Sequence, residues 1–260
     1  MIKNGENLNI SPTKTRSSVP DRCWEIDVIR GLGILMMIVF HFFFDLDYFN
    51  LLKNDMYSSS WLVFQRTTAT MILLVVGICL ALCYNKHNGE KDLFEKYYLK
   101  RGLLLFLIAL LITIGTWIYP NKGFIIFGVI HFIALSTITG YFFLRFFYLN
   151  LVLGIWVIFA GLEMGKITVS TNLLIWLGLS YPGFYALDYF PVFPWFGIIL
   201  IGIFIGKYFY KDNKSIFGLD HGKNFIINSM NYLGRNSIKI YLVHQPILIT
   251  IIQTYLYLIN

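Results

Sequence analysis

Long apolar runs recur along the chain, and they restrict the fold more than any other feature of the sequence. A helix needs about 20 mainly apolar residues to cross the hydrocarbon core of a bilayer, and in lipid only helices and closed barrels satisfy their backbone hydrogen bonds. Seven runs approach that length, and they cover residues 24–48, 61–84, 99–119, 127–147, 149–164, 193–210 and 237–258. The sequence therefore predicts an all-α, polytopic transmembrane helix bundle of about seven spans.

Lysine and arginine set the predicted orientation of these spans. They concentrate in the N-terminal tail and in the second, fourth and sixth connections, whereas only Lys53, Lys122 and Lys166 lie in the connections on the other side. The positive-inside rule then places the N-terminus in the cytoplasm and the C-terminus outside. This topology accounts for the formal net charge of +7, so the charge calls for no nucleic-acid partner.

The chain divides into a short tail and one membrane domain. Residues 1–22 are polar and lack the apolar region of a signal peptide, which predicts a disordered cytoplasmic tail. Residues 23–260 form the transmembrane domain, in which the apolar stretch 173–182 is too short to span and is expected in the interface or as a re-entrant piece. The three cysteines form no CxxC pattern, so neither a disulfide framework nor a metal site is expected.

The first apolar run carries charged residues that lipid alone would not tolerate. A charge at mid-membrane costs about 2.5–3.5 kcal/mol on the insertion scale and normally faces protein or a water-filled cavity. Arg30 and His41 are eleven residues apart, which puts them within about 20° of each other on one helix face and roughly 16 Å apart along the axis. Asp27 and Asp45 lie at the helical spacings that allow contact with Arg30 and His41, respectively. The four residues predict a polar stripe that crosses much of the membrane.

Other polar residues are expected at the outer level of the bundle. They are Gln65, Arg66, His131, Glu163 and Asp188, with His244 somewhat deeper in the last run. If the helices pack as a bundle, these side chains would line a cavity open to the exterior. Simpler interpretations stay open: Arg30 as a snorkelling anchor, His41 as an interhelical hydrogen-bond partner, and Arg101 as a positive-inside anchor.

Two terminal motifs carry a resemblance to a known family. The pattern R(x)4D(x)2RG, with a histidine eleven residues after the second arginine, is similar to the opening helix of the integral-membrane acyltransferase superfamily. The stretch "LGRNSIKIYLVHQPIL" resembles the closing signature of that superfamily and contains His244. Between them, "FGVIHFIALS" and "YFPVFPWFGIILIGIFIG" resemble the branch related to heparan-alpha-glucosaminide N-acetyltransferase, which consists mostly of prokaryotic proteins. The resemblance covers about residues 22 to 250.

The resemblance implies a multi-pass enzyme of a prokaryotic plasma membrane. Its expected reaction moves an acetyl or short acyl group from cytoplasmic acyl-CoA to a hydroxyl or amine of a glycan or glycolipid acceptor on the outer face, without a metal. The expected catalytic residues are His41, Asp45, His131 and His244. His41 would act as general base, Asp45 would hold its tautomer, and Arg66 or His131 would face the oxyanion. Donor binding is expected from Arg30, Asp27 and Arg66.

One departure from the family pattern bears on the mechanism. In the lysosomal branch the histidine thought to carry the acetyl group lies in the loop after the first helix, and here the corresponding loop "NLLKNDMYSSSW" contains no histidine. Direct transfer assisted by His41 is therefore the simpler hypothesis. Two other classes of function compete: a proton-coupled transporter or permease that uses the same polar stripe, and a structural or signalling subunit without chemistry, which would leave that stripe unexplained.

Overall fold

The computed structural model describes residues 23–53, 55–56, 58–87, 90, 92–210 and 224–259. The predicted disordered tail 1–22, including Arg22 of the opening motif, lies outside these residues. Among these residues the regular secondary structure is helical, and no β-strand is present beyond an isolated bridge between Thr168 and Ser180. The predicted all-α class is therefore confirmed.

Eight α-helices follow one another along the described chain. They are α1 Trp24–Tyr48, α2 Ser59–Lys86, α3 Lys100–Ile118, α4 Val129–Gly140, α5 Tyr148–Met164, α6 Val192–Phe209, α7 Phe225–Arg235 and α8 Ser237–Ile259. Short helical turns precede α3 at Phe94–Leu99, follow α4 at Tyr141–Phe143 and interrupt the α5–α6 connection at Asn172–Leu177. The last of these falls within the stretch 173–182 that was expected in the interface or as a re-entrant piece.

Each of the seven predicted spans corresponds to a helix, but the helices differ in length. Five are long and apolar enough to cross a membrane, namely α1, α2, α3 with its preceding turn, α6 and α8. The apolar helices Val129–Phe143 and Tyr148–Met164 are shorter. In α4 the cause is local, because Gly128 at its start is extended and Gly140 is followed by a tighter helical turn. Five spans are thus supported by length, while seven spans and the orientation of the termini stay predictions.

Helix α7 was not predicted, and it fixes how the two ends of the domain meet. Its residues Met230 and Gly234 pack against the first turns of α1 so closely that the backbones touch, at Gly31 and at Asp27. Because α8 begins directly after α7, it starts beside the first turns of α1 and runs in the same direction, with Gln245 reaching Asp45. This arrangement brings the opening and closing sequence motifs together.

The contact between α7 and α1 yields a stability prediction. A Cβ atom at Gly234 would collide with the carbonyl group of Asp27, so Gly234→Ala should destabilise the protein by about 1–3 kcal/mol through overpacking. The matched control is Gly115→Ala in α3, where no atom beyond its chain neighbours and the backbone of its own helix lies within 4 Å of the position that a Cβ atom would take, and where Ala also favours the helix. Thermal unfolding of the purified protein in detergent measures both. Equal midpoints for the two variants would contradict the close contact.

Helices α2 and α6 also approach each other through glycine. Gly202 lies against the backbone of Leu74, and Gly206 lies against Ile78 and Ala81. Small residues that let backbones come close are the usual means by which helices associate in lipid. Because later residues of α2 contact later residues of α6, the two helices run in the same direction. Their contacts also fix their relative depth in the bundle.

Candidate active site

One cavity of about 840 Å³ lies between α1, α2, α3, α4 and α8 and is bounded by the loop that precedes α6. It extends along most of the length of α1. Arg30, Arg101 and Arg235 line one end, which we call the cationic end. His41 lines the other, the histidine end, together with Phe44 and Asp188. Arg30 and His41 therefore face a common space, as their spacing in the sequence predicts.

The cationic end collects four positive side chains around the start of α1. Arg30, Arg101, Arg235 and Lys239 all line the cavity there. Asp27 is 2% exposed and does not line the cavity; its carboxylate lies 3.4 Å from Arg30 Nη1 and 3.5 Å from Arg235 Nε. A buried carboxylate in this position holds two guanidinium groups in place while leaving the cavity wall positive. Asp27 is thus placed to position cations rather than to contact a ligand.

A pair of imidazole rings marks the histidine end. The centroids of His41 on α1 and His244 on α8 are 5.0 Å apart. His244 Nδ1 lies 2.6 Å from the carbonyl oxygen of Tyr241. A carbonyl only accepts hydrogen bonds, so Nδ1 carries the proton and the neutral ring keeps the lone pair of Nε2 free. The tautomer of His244 is therefore set by its own helix.

Asp45 has a different partner from the expected one. Its carboxylate is 3% exposed and accepts a hydrogen bond of 2.7 Å from Gln245 Nε2, and no hydrogen bond joins it to His41 among the described residues. The expectation that Asp45 holds the tautomer of His41 is therefore not met by this geometry. The physical reason is the closeness of α8, whose amide reaches Asp45 across the helix interface.

Four buried polar atoms at this end have no hydrogen-bond partner among the described residues. They are His41 Nδ1, Asp45 Oδ2, His244 Nε2 and Gln245 Oε1. Buried polar groups in native proteins are nearly always satisfied, so a cluster of unpaired ones indicates a place where water or a ligand belongs. The carboxylate oxygen, the amide oxygen and His244 Nε2 are all acceptors, which suits water or another hydrogen-bond donor; of the four residues, only His41 is part of the cavity wall.

Asp188 joins three elements around the same end of the cavity. It accepts a hydrogen bond of 2.8 Å from the backbone N–H of Val129, which starts α4, and another from the hydroxyl of Tyr241 on α8. Burial raises the pKa of this carboxyl to about 6, against the opposing effect of the two hydrogen bonds. The group is still mostly ionised at neutral pH, and its negative charge is stabilised by the N-terminus of α4.

His131 and Arg66 lie outside this cavity. The backbone N–H of Gly128 donates to His131 Nδ1 at 3.3 Å, so the proton is on Nε2, which lies 3.2 Å from Thr113 Oγ1. Both ring nitrogens are therefore engaged in holding the start of α4. Arg66 is exposed on a different face of α2 and lines a separate shallow groove. Neither residue is placed to face an oxyanion beside His41.

The remaining outer residues of the sequence prediction fall into two groups. Gln65 and Asp188 line the cavity, whereas Glu163 forms an exposed ion pair with Lys166. In the part of the chain that the structure describes, no three or more His, Cys, Asp or Glu side chains come together in a group suited to a metal ion.

Sequence reasoning missed three residues that line the cavity and a fourth, Gln245, that contacts Asp45 beside the histidine pair. Arg101 was interpreted as an anchor, while Arg235, Lys239 and Gln245 received no role, although Gln245 follows His244 directly in the closing motif. A signal did exist for Gln245, since a glutamine in an apolar helix needs a polar partner. No sequence signal identified Asp45 as that partner.

Comparison with known proteins identifies the family of this chain. The family model described as heparan-alpha-glucosaminide N-acetyltransferase, catalytic, matches residues 22–246, which include the opening motif, all but the last two residues of the closing motif, and every residue of the cavity wall. No curated protein and no solved structure gives a significant match. Because the match spans most of the 260 residues, the chain belongs to the family of the heparan-alpha-glucosaminide N-acetyltransferase catalytic domain.

Proposed function

We propose that this membrane acetyltransferase moves an acetyl or short acyl group from cytoplasmic acyl-CoA to a hydroxyl or amine of a sugar-containing acceptor on the outer face. The observation that carries the proposal is the cavity that joins the cationic end to His41, whose ring packs against that of His244. A donor with a phosphorylated head and a long thioester arm suits such a space, because the anionic part and the reacting carbon lie far apart in one molecule.

The head of the donor binds at the cationic end in this proposal. Arg30, Arg101 and Arg235 present planar guanidinium groups, which pair with phosphate oxygens through two parallel hydrogen bonds. Lys239 adds a fourth positive charge. The arm then extends along α1 toward His41, over roughly 16 Å of helix. With the predicted topology, this end faces the cytoplasm, where CoA thioesters are available.

The chemistry takes place at the histidine end. His41 removes the proton of the acceptor hydroxyl or amine as the oxygen or nitrogen attacks the thioester carbonyl. The new carbon–oxygen or carbon–nitrogen bond forms, the carbon–sulfur bond breaks, and the proton passes from the imidazole to the departing thiolate. His244, with its free Nε2 beside His41, is placed to accept a hydrogen bond from the acceptor or to share this proton.

Direct transfer fits the residues of this chain better than a covalent route through the loop after α1. That loop contains no histidine, so it lacks the acetyl-carrying residue inferred for the lysosomal branch. Asp45 and Gln245 are buried near the imidazole pair but do not line the cavity, so their unpaired oxygens suit ordered water rather than the acceptor itself.

The proposal can be tested with the donor alone, through CoA binding and acetyl-CoA hydrolysis, before the acceptor is identified. Purified protein in detergent should bind CoA and should slowly hydrolyse acetyl-CoA, with water in place of the acceptor. Calorimetry measures the binding, and a thiol reagent measures the CoA released. A transporter that uses the same polar stripe would leave the thioester intact. Protein that neither binds CoA nor releases thiol would contradict the enzymatic function.

A further inference from the structure

We propose that Arg66, together with Thr67 and Thr70, binds the phosphate group of an anionic phospholipid at the membrane-facing surface of α2. The three residues line a shallow groove of about 390 Å³ with Val63, Met71 and Leu74. The groove is separate from the cavity that holds His41, and no residue lines both. The lipid site is therefore independent of the proposed acyl transfer.

The side chain of Arg66 lacks a protein partner. It is exposed, and among the residues that the structure describes none accepts a hydrogen bond from it or forms an ion pair with it. Arg30, by contrast, is paired with Asp27. An unpaired guanidinium beside apolar helix surface is costly, and in membrane proteins such a charge normally finds a carboxylate, a carbonyl group or a lipid phosphate.

The neighbouring helices fix the depth of Arg66. Leu74 packs beside Gly202 of α6. Arg66 lies eight residues, or roughly 12 Å, before Leu74 in α2, and Pro194 lies eight residues before Gly202 in α6. Because the two helices are parallel, Arg66 is level with Pro194, in the first turn of α6. Pro194 in turn contacts Gly161, near the end of α5 and next to the exposed Glu163–Lys166 ion pair. Arg66 is thus level with the ends of two membrane helices, the depth at which lipid phosphates lie.

The rest of the groove suits the shape of a phospholipid. Thr67 and Thr70 offer hydroxyl donors within one turn of Arg66, so the groove presents a charged fork and two neutral donors to a phosphate. Met71 and Leu74 continue the same face of α2 toward the middle of the bundle and give an acyl chain an apolar wall. No carboxylate lines the groove among the described residues, so the charge favours a lipid with net negative charge.

The test compares lipid binding of matched variants by native mass spectrometry. Detergent-purified protein is titrated with dioleoyl phosphatidylglycerol, and with phosphatidylcholine as the lipid without net charge. Arg66→Gln should weaken phosphatidylglycerol binding about tenfold or more, because a hydrogen bond to a charged group contributes about 1.5–3 kcal/mol. Arg66→Lys should lose less. Lys122→Gln removes an exposed positive charge from the α3–α4 connection and should have no effect.

Three outcomes overturn the proposal. Unchanged phosphatidylglycerol binding in Arg66→Gln shows that the groove is not the site. An equal loss in Lys122→Gln shows that only overall charge matters. Competition by millimolar inorganic phosphate as effective as by the lipid shows a site for a free anion. The thioester hydrolysis of the Arg66 variants should equal that of the unsubstituted protein, so failure here is distinguishable from failure of the proposed function.

Discussion

His41→Ala should lower the rate of acetyl transfer, and of thioester hydrolysis, by about 10²–10⁴-fold, the usual contribution of a positioned general base. Binding of CoA should stay nearly unchanged, because in the proposed complex the phosphates bind at the cationic end, roughly 16 Å away along α1. Release of CoA from saturating acetyl-CoA measures the rate, and calorimetry measures the affinity. A loss of rate without a loss of affinity is the result expected for a residue that acts on the reacting atoms.

The adjacent Phe42 supplies the control for this variant. Its side chain is exposed on the outer surface of α1 and does not line the cavity, so Phe42→Ala should retain full activity. His244→Gln should reduce the rate less than His41→Ala if His244 assists rather than acts as the principal base. Full activity of His41→Ala, or loss of CoA binding with retained turnover, would contradict the assignment of roles along the cavity.

Arg30→Gln should weaken the binding of acetyl-CoA by about 10- to 100-fold, since it removes the charge-assisted hydrogen bonds that Arg30 makes to a phosphate in the proposed complex. The maximal rate at saturating donor should change far less, because Arg30 is remote from the thioester. The Kd from calorimetry and the KM for acetyl-CoA should rise together. Arg30→Lys should give an intermediate loss, since the charge remains but the planar fork does not.

Lys100 is the matched control for this prediction. It is exposed at the start of α3, next to Arg101, but does not line the cavity. Lys100→Gln should therefore leave the donor Kd unchanged. Raising the salt concentration should weaken donor binding by the unsubstituted protein more than by Arg30→Gln, because salt screens the positive charges of the cationic end. A KM that rises for the acceptor but not for acetyl-CoA would place the donor elsewhere.

For the polar residues of the candidate site, the sequence predicted the depth in the membrane better than the face of the helix on which each residue lies. The positions of Arg30 and His41 on one face of α1 followed from helical periodicity, and the structure has both on one cavity wall. Arg66 and His131 were assigned to the same site from depth alone. Periodicity relates residues within one helix, but it carries no information on which face of α2 or α4 turns toward α1.

Contacts between distant segments account for the other misses. Asp45 and Gln245 are 200 residues apart, and their hydrogen bond exists because α7 carries the start of α8 back to the first turns of α1. Helix α7 itself is short and polar on one face, so the pattern of long apolar runs does not reveal it. The pairing of His41 with His244 depends on the same return of the chain.

A cavity that extends along most of α1 has a consequence for how acyl groups could reach the far side of a membrane. In the proposed reaction neither the donor nor the acceptor crosses the membrane. Only the acyl group passes from one to the other inside the cavity, and cleavage of the thioester supplies the driving force. Unlike a transporter, such an enzyme does not require alternating inward- and outward-facing conformations, a coupled ion gradient or nucleotide hydrolysis. A largely fixed helix scaffold is then sufficient for chemistry that links two sides of a bilayer.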